Sequence, residues 1–263
     1  MSGSTFASSE SVGTRTAGAG PDTRLLKAAM SDHFRRIYSH NADQCDEFVS
    51  REDYQGNVLS AIEGIAGLSG SKVVEIGAGS GRLTRLIAPH VAHVSAFDVY
   101  LPMLAVARDR LADLGIYNVT FDQADNKHLP ASDGEADIVI AGWTLGHCCD
   151  WFPDTWRTEI ASALSEMLRV LSPGGTAIIL ETLGTGSEDP HPPNEALAGY
   201  YNWLESDKDL SSAFIRTDYK FRSVQEGRDM FSFLFGEEFL QHVEVSDAIV
   251  PECTGVWWYQ KRA

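Results

Sequence analysis

The sequence predicts an α/β fold, a doubly wound and mostly parallel sheet of about seven strands. Three observations predict it. Between Ser71 and Leu183, short apolar runs alternate with helical patterns, the rhythm of strand–helix units that build a parallel sheet covered on both faces. The run "ADIVIAGW" keeps an unbroken apolar centre, as a strand buried on both faces requires. A glycine cluster, "EIGAGSG", separates the first apolar run from the first helix, where open sheets of this type bind ligands. N-terminal helices, a cap insertion after the fifth strand and an antiparallel C-terminal hairpin complete the expected architecture.

Each element follows from local pattern. Residues 1–22 are rich in Ser, Thr and Gly and poor in large apolar side chains, so they are expected to be a disordered tail, and 23–263 one domain. From about Thr23, apolar residues recur at three- and four-residue steps (Leu26, Met30, Phe34, Ile37), a helical period, and a second helical stretch covers about Tyr54 to Ala66. "KVVEIG", "HVSAFDV", "VTFDQAD", "ADIVIAGW" and "TAIILETL" read as strands. "GRLTRLIAPH", "LPMLAVARDRLADLG" and "DTWRTEIASALSEMLRVL" read as the helices between them; the second has Pro102 at its start and Gly115 at its end. Residues 71–183 therefore form the expected cofactor-binding core, and 184–222, acidic and then aromatic, the expected substrate cap. "SVQE" is a capping box that opens another helix at Ser223. "FLQHVEVSDAIV" and "TGVWWYQKR" read as the two strands of the closing hairpin.

Composition excludes several classes. The 263 residues are 43% hydrophobic, enough for a sizeable core, and carry a formal net charge of −16. Such a chain repels phosphate backbones, so nucleic acid is not an expected partner. No apolar run reaches the ~18 residues of a membrane span, and no signal-peptide pattern opens the sequence. Cys45, Cys148, Cys149 and Cys253 form no C-x-x-C pair, so reduced thiols in a cytoplasmic protein are expected rather than a metal site.

The glycine loop carries the function. A dinucleotide fingerprint G-x-G-x-x-G starting at Gly77 needs a glycine at position 82, which is Arg82; the chain has G-x-G-x-G instead. Asp98 ends the second strand, where a carboxylate can accept both hydroxyls of a ribose. Asp125 ends the third, where a carboxylate can accept from an adenine amine. Asp125 alone is equally well read as a turn cap, a reading that fits Asp98 less well.

Together, "VVEIGAGSGRLT", "AFDVYLPML", "DQADNKHLP", "DIVIAGWTLGH" and "LRVLSPGGTAII" resemble, in order and spacing, the class I S-adenosylmethionine-dependent methyltransferases. Their texture is closest to the small-molecule branch called the type 11 group. The resemblance implies a Rossmann-like fold, S-adenosyl-L-methionine as cofactor, S-adenosyl-L-homocysteine as product and a small-molecule acceptor. It also implies roles. Gly77, Ala78 and Gly79 would pass the methionine end of the cofactor, and Glu75 would steady the loop. Asp98 would hold the ribose, Val99 and Met103 would flank the adenine, and Asp125 and Asn126 would take its amine. Gly142 would offer a carbonyl near the cofactor amine, and Tyr38 would lie over the cofactor, although the usual Tyr of the A-x-x-Y-D pattern is here Cys45.

Methyl transfer needs alignment and dryness, and for some acceptors a base. His147, in "GWTLGH", and Glu181, in "ILETLG", are the candidate catalytic residues; Trp143 is a candidate pocket wall, and His191, among prolines, is read as structural. A core histidine and a core tryptophan would leave the same signature. The acceptor atom (O, N or C) stays open. So do two alternatives: methylation of a protein or peptide amine, and a regulatory module that binds the cofactor without turnover.

Overall fold

The glycine cluster, the two strand-end aspartates and the apolar runs all meet in one seven-stranded sheet. The structure is a computed structural model that describes residues 23–241, 243 and 245–263; the tail expected over 1–22 lies outside the described residues. Helices α1 (Thr23–His40), α2 (Ala42–Val49) and α3 (Asn57–Ile65) precede β1 (Lys72–Ile76). There follow α4 (Arg82–Ile87), β2 (His93–Asp98), α5 (Leu101–Asp113), β3 (Val119–Gln123), β4 (Ala136–Gly142), α6 (His147–Trp151), α7 (Trp156–Val170) and β5 (Leu171–Thr185). The C-terminal third holds α8 (Glu195–Ser206), β6 (Ser211–Arg216), β7 (Tyr219–Lys220), α9 (Val224–Phe235), β8 (Ile249–Val250) and β9 (Glu252–Gln260). Among the described residues no helix is long and apolar enough to cross a membrane.

The sheet order is β3-β2-β1-β4-β5-β9-β6, with β7 and β8 forming a separate small ribbon. β1 pairs in parallel with both β2 and β4, so the chain reverses direction across the sheet at the carboxyl end of β1. Such a switch point leaves a crevice between the loops of neighbouring strands, and the glycine loop occupies it.

Alternation divides the core. Val73, Ile138, Ile140, Ile178 and Leu180 face one side with Val58, Ile62, Leu83 and Ile87. Val74, Ile76, Val139, Ile179 and Trp257 face the other with Ile160, Met167, Tyr200 and Trp203. Period-two side-chain direction makes both faces apolar, which is why these strands read as continuous apolar runs.

Two expectations change at the C terminus. The antiparallel C-terminal pair exists, but β9 pairs with β6, at Ser211↔Trp258 through Arg216↔Cys253, and not with the segment 239–250. Among the described residues of that segment only Ile249–Val250 is strand, paired with β7, while Val243 and Val245 are buried in an aromatic cluster with Phe48, Phe221 and Phe231. Alternating apolar residues satisfy either surface, so the pattern cannot name its partner. The expected cap over 184–222 divides in the same way. Its α8 buries Tyr200, Tyr201 and Trp203 against Trp156 and Trp257, and its β6 becomes the edge of the sheet. The capping box stands: the Ser223 hydroxyl accepts from the Glu226 N–H at 3.1 Å.

Candidate functional site

The turn out of β1 is shaped by backbone conformation. Gly77 and Gly79 have φ of +65° and +55°, the left-handed region that side chains disfavour. At Gly77 a second constraint dominates: an added Cβ would lie 2.1 Å from Thr144 Oγ1, on the loop after β4. The first glycine is therefore needed for the approach of another protein loop. Gly79 N donates to Asp98 Oδ2 at 2.8 Å, and Tyr100 N donates to Asp98 Oδ1 at 2.8 Å. One buried carboxylate thus ties the glycine loop to the start of α5. Burial raises the Asp98 pKa, opposed by these backbone N–H donors. Glu75, behind the loop, accepts from Thr84 Oγ1 at 2.6 Å, and burial pushes its carboxyl up to about 8. It steadies the loop through α4.

Above this floor lies a cavity of about 480 Å³. Every residue expected to hold the cofactor lines it: Tyr38, Glu75, Gly77, Ala78, Gly79, Asp98, Val99, Met103, Asp125, Asn126 and Gly142. Candidate base His147 and candidate wall Trp143 line it too. Asp125 caps its own turn, accepting from Lys127 N at 2.9 Å, and its side chain is half exposed toward solvent. Trp143 takes φ of +50°, a strained value for a bulky residue, with its N–H bonded to Leu180 O at 2.6 Å and its ring under the Arg82 guanidinium at 3.4 Å.

The roof comes from α1 and α6. Tyr38 Oη lies 2.9 Å from His147 Nε2. Burial lowers the His147 pKa to about 4 and raises that of Tyr38, so both are neutral near pH 7; with Nδ1 protonated, the phenol donates to Nε2. The His147 ring stacks on Trp151 at 4.9 Å and 9°, Phe34 packs at 5.6 Å, and Tyr38 meets Tyr100 at 5.5 Å.

Glu181 does not reach the cavity. It is buried beneath the loop after β4, where Oε1 accepts from Gly146 N at 2.8 Å and the carboxylate also takes the Leu145 N–H. Burial pushes it up to about 8. It positions the segment that carries His147; an acid at a strand end is indistinguishable by sequence from one that faces a ligand. His191 lies outside the cavity, its ring Nδ1 3.3 Å from the Asp189 carbonyl and its backbone N–H donating to Leu183 O at 2.7 Å. Residues 184–222 contribute no lining side chain. Cys148 lines the cavity as a thiol pushed up to about 12 by burial; all four cysteines are free, and no metal-binding cluster occurs among the described residues. Arg35, Tyr100, Thr144 and Trp151 line the cavity without having been singled out by sequence. Tyr100 directly follows Val99 and was within reach of the motif; α6, at five residues, is too short to show a period.

The donor set fits an adenosyl amino acid better than a dinucleotide. A pyrophosphate at the glycine loop would meet the Asp98 side chain, and Arg82, the nearest cation in sequence, is already bound to Glu52. Acceptors at Asp98 and Asp125 with Val99 and Met103 between suit ribose, amine and adenine faces.

Comparison with known proteins agrees. Residues 73–175 match the family described as "Methyltransferase domain". The ubiquinone/menaquinone biosynthesis C-methyltransferase UbiE of Pseudomonas savastanoi pv. phaseolicola is 40% identical over 118 residues, and that of Pseudomonas aeruginosa 38% over 118. Each match spans 43% of this chain and only 42% of the relative. Among solved structures, the YcgJ protein of Bacillus subtilis superposes with a TM-score of 0.52 at 17% identity over 79% of this chain and 99% of its own. A Bacillus halodurans protein does so with a TM-score of 0.51 at 22% identity, over 78% and 99%. The match makes residues 73–175 a methyltransferase domain, and the glycine loop with its two strand-end acids lies within it, on a sheet whose fold the solved structures share.

Proposed function

We propose that the protein transfers a methyl group from S-adenosylmethionine to a small-molecule acceptor. The observation that carries this reading is the cavity that all eleven expected cofactor residues line beneath a neutral Tyr38–His147 pair. When bound, S-adenosylmethionine supplies a methyl carbon made electrophilic by its sulfonium. The chain's own residues do the rest. Asp98 and Asp125 orient the nucleoside by accepting its hydroxyl and amine protons. Gly77 to Gly79 and the Gly142 carbonyl leave room for the amino-acid end. Tyr38, Phe34 and Trp151 exclude water from the roof, which keeps the transfer in line and free of hydrolysis.

His147 is the proton acceptor in this reading. Its imidazole is neutral near pH 7, and Nε2 is the nitrogen turned toward Tyr38 at the cavity wall. A hydroxyl acceptor that takes the place of the phenol hydrogen bond delivers its proton to that nitrogen. Oxygen and carbon acceptors with an acidic proton suit such a base; the relatives named above are C-methyltransferases. Glu181, the acid that could have met a peptide amine, is engaged by Gly146 N beneath the loop. The four free thiols support a reducing, cytoplasmic setting.

Calorimetric titration with S-adenosylmethionine and S-adenosylhomocysteine tests the cofactor, with Asp98→Ala as the control. Micromolar binding that collapses in the variant supports the proposal; a folded wild-type protein that binds neither ligand overturns it. A labelled methyl donor incubated with metabolite and peptide fractions then separates the acceptor classes.

A further inference from the structure

We infer that the acceptor is a planar aromatic molecule bearing an anionic group, with the ring held under the α1–α6 roof and the anion on the Arg35 guanidinium. This deepens the methyltransferase reading and rests on it. The inference starts from the charges that line the cavity. Three cations do so: Arg35, Arg82 and Lys127. Arg82 is bound to Glu52, and Lys127 Nζ lies 2.8 Å from Glu159. No salt bridge joins Arg35 to a carboxylate among the described residues. In a chain of net charge −16, where acids outnumber bases 37 to 21, a cation at a ligand cavity with no carboxylate partner among the described residues is conspicuous.

Its position adds to this. Arg35 sits over the Trp151 ring at 5.0 Å, which fixes the guanidinium against the roof. It also acts on Tyr100: burial raises that phenol's pKa and the Arg35 charge counters the rise, so the guanidinium stands near both walls. Arg35 therefore belongs to the α1–α6–Tyr100 wall, and the glycine loop has its own arginine, Arg82.

The surroundings define the rest of the ligand. Tyr38, Tyr100, His147 and Trp151 present aromatic faces and edges, which favour a flat ring over a flexible chain. The imidazole and phenol are neutral, Glu181 is turned away beneath the loop and the lining Glu159 is paired with Lys127, so none of these groups compensates a cationic acceptor. A guanidinium, by contrast, bonds a carboxylate or phosphate through two parallel N–H donors. A ring with its nucleophilic atom toward His147 and its anion toward Arg35 uses all of these groups at once.

The test uses the wild-type chain and Arg35→Gln, each saturated with S-adenosylhomocysteine, and reads binding of 4-hydroxybenzoate, 3,4-dihydroxybenzoate and caffeate against their methyl esters. The expected result is that at least one acid binds the wild type about tenfold more tightly than its ester, and that Arg35→Gln removes the difference. Arg35→Lys should restore part of it, since the charge returns without the fork. Affinity for S-adenosylhomocysteine itself should change less than about threefold in either variant. Esters that bind as well as the acids, acids that prefer the wild type no more than Arg35→Gln, or no binding by any acid would each overturn the inference. So would a tenfold loss of S-adenosylhomocysteine affinity in Arg35→Gln, which would assign Arg35 to the cofactor's carboxylate. Failure of the wild type to bind S-adenosylhomocysteine would instead remove the methyltransferase reading beneath it.

Discussion

Gly77 is the residue whose side chain the site can least tolerate. A Cβ there meets Thr144 Oγ1 at 2.1 Å and Thr144 Cβ at 2.5 Å, and φ is +65°. Gly77→Ala should therefore cost about 2–4 kcal/mol, the sum of an overpacking and a backbone term. Adding Thr144→Gly should recover part of the loss by clearing the contact while leaving the φ penalty, a coupling that a double-mutant cycle on thermal unfolding reads directly. Asp98 acts differently. Its two oxygens already hold Gly79 and Tyr100, so Asp98→Asn, which keeps a single acceptor oxygen, should lose one of those bonds and weaken cofactor binding about 10- to 100-fold by calorimetry. An unchanged affinity would show that the loop keeps its shape without the carboxylate.

At the scale of elements, the short α6 is held from two sides. Glu181, at the far end of β5, accepts the Gly146 and Leu145 N–H groups from below, and Tyr38, on α1, contacts His147 from above. Removing the lower support leaves two buried N–H donors without an acceptor. Glu181→Ala should lower stability by about 2–4 kcal/mol and reduce acceptor turnover through misplacement of His147, whereas Glu181→Gln, which keeps one acceptor oxygen, should retain most of both. Equal loss in the two variants would point to a need for the charge itself. Tyr38→Phe keeps the aromatic roof and removes one hydrogen bond, so it should alter turnover more than cofactor affinity, measured as kcat against the dissociation constant of S-adenosylhomocysteine.

For the whole molecule, buried ionisable groups set the pH response. Glu75, Glu181 and Glu252 are each pushed up to about 8 by burial, against an ordinary value of 4.5. Their folded forms prefer the proton, so the stability this contributes is complete below pH 4.5 and is lost as pH rises through 8. His147, lowered by burial from 6.5 to about 4, works in the other direction: its contribution is complete above 6.5 and is lost as pH falls through 4. Between pH 4.5 and 6.5 three carboxyls lose what one imidazole gains, so thermal midpoints should decline from about pH 4.5 toward pH 8. Glu181→Gln should flatten the alkaline decline, and a slope that stays the same would show that Glu181 is ionised in the folded protein. The sheet topology makes this arrangement possible. Three strand ends of the parallel half deliver Glu75, Asp98 and the loop after β4 to a single crevice, and β5 delivers Glu181 beneath it.

Periodicity, glycine placement and strand-end acids, all local properties, were enough to predict the parallel half of the sheet and its glycine loop, and the eleven residues that the resemblance singled out line one cavity. They were enough because a strand buried on both faces and a loop at its carboxyl end leave their signatures within a dozen residues. What faces what was decided only in three dimensions. The pattern of "FLQHVEV" fitted a strand as well as the cluster around Phe231, and β9 took its place between β5 and β6, where both of its edges are paired. Glu181 and His147 read alike as acids and bases at strand ends, yet one lies under the loop and the other in the cavity wall. The aromatics of 184–222 became core, and the roof came from α1 and α6. Burial, ion pairing and the direction of a side chain depend on contacts between residues far apart in the chain, and these emerge only when the elements pack.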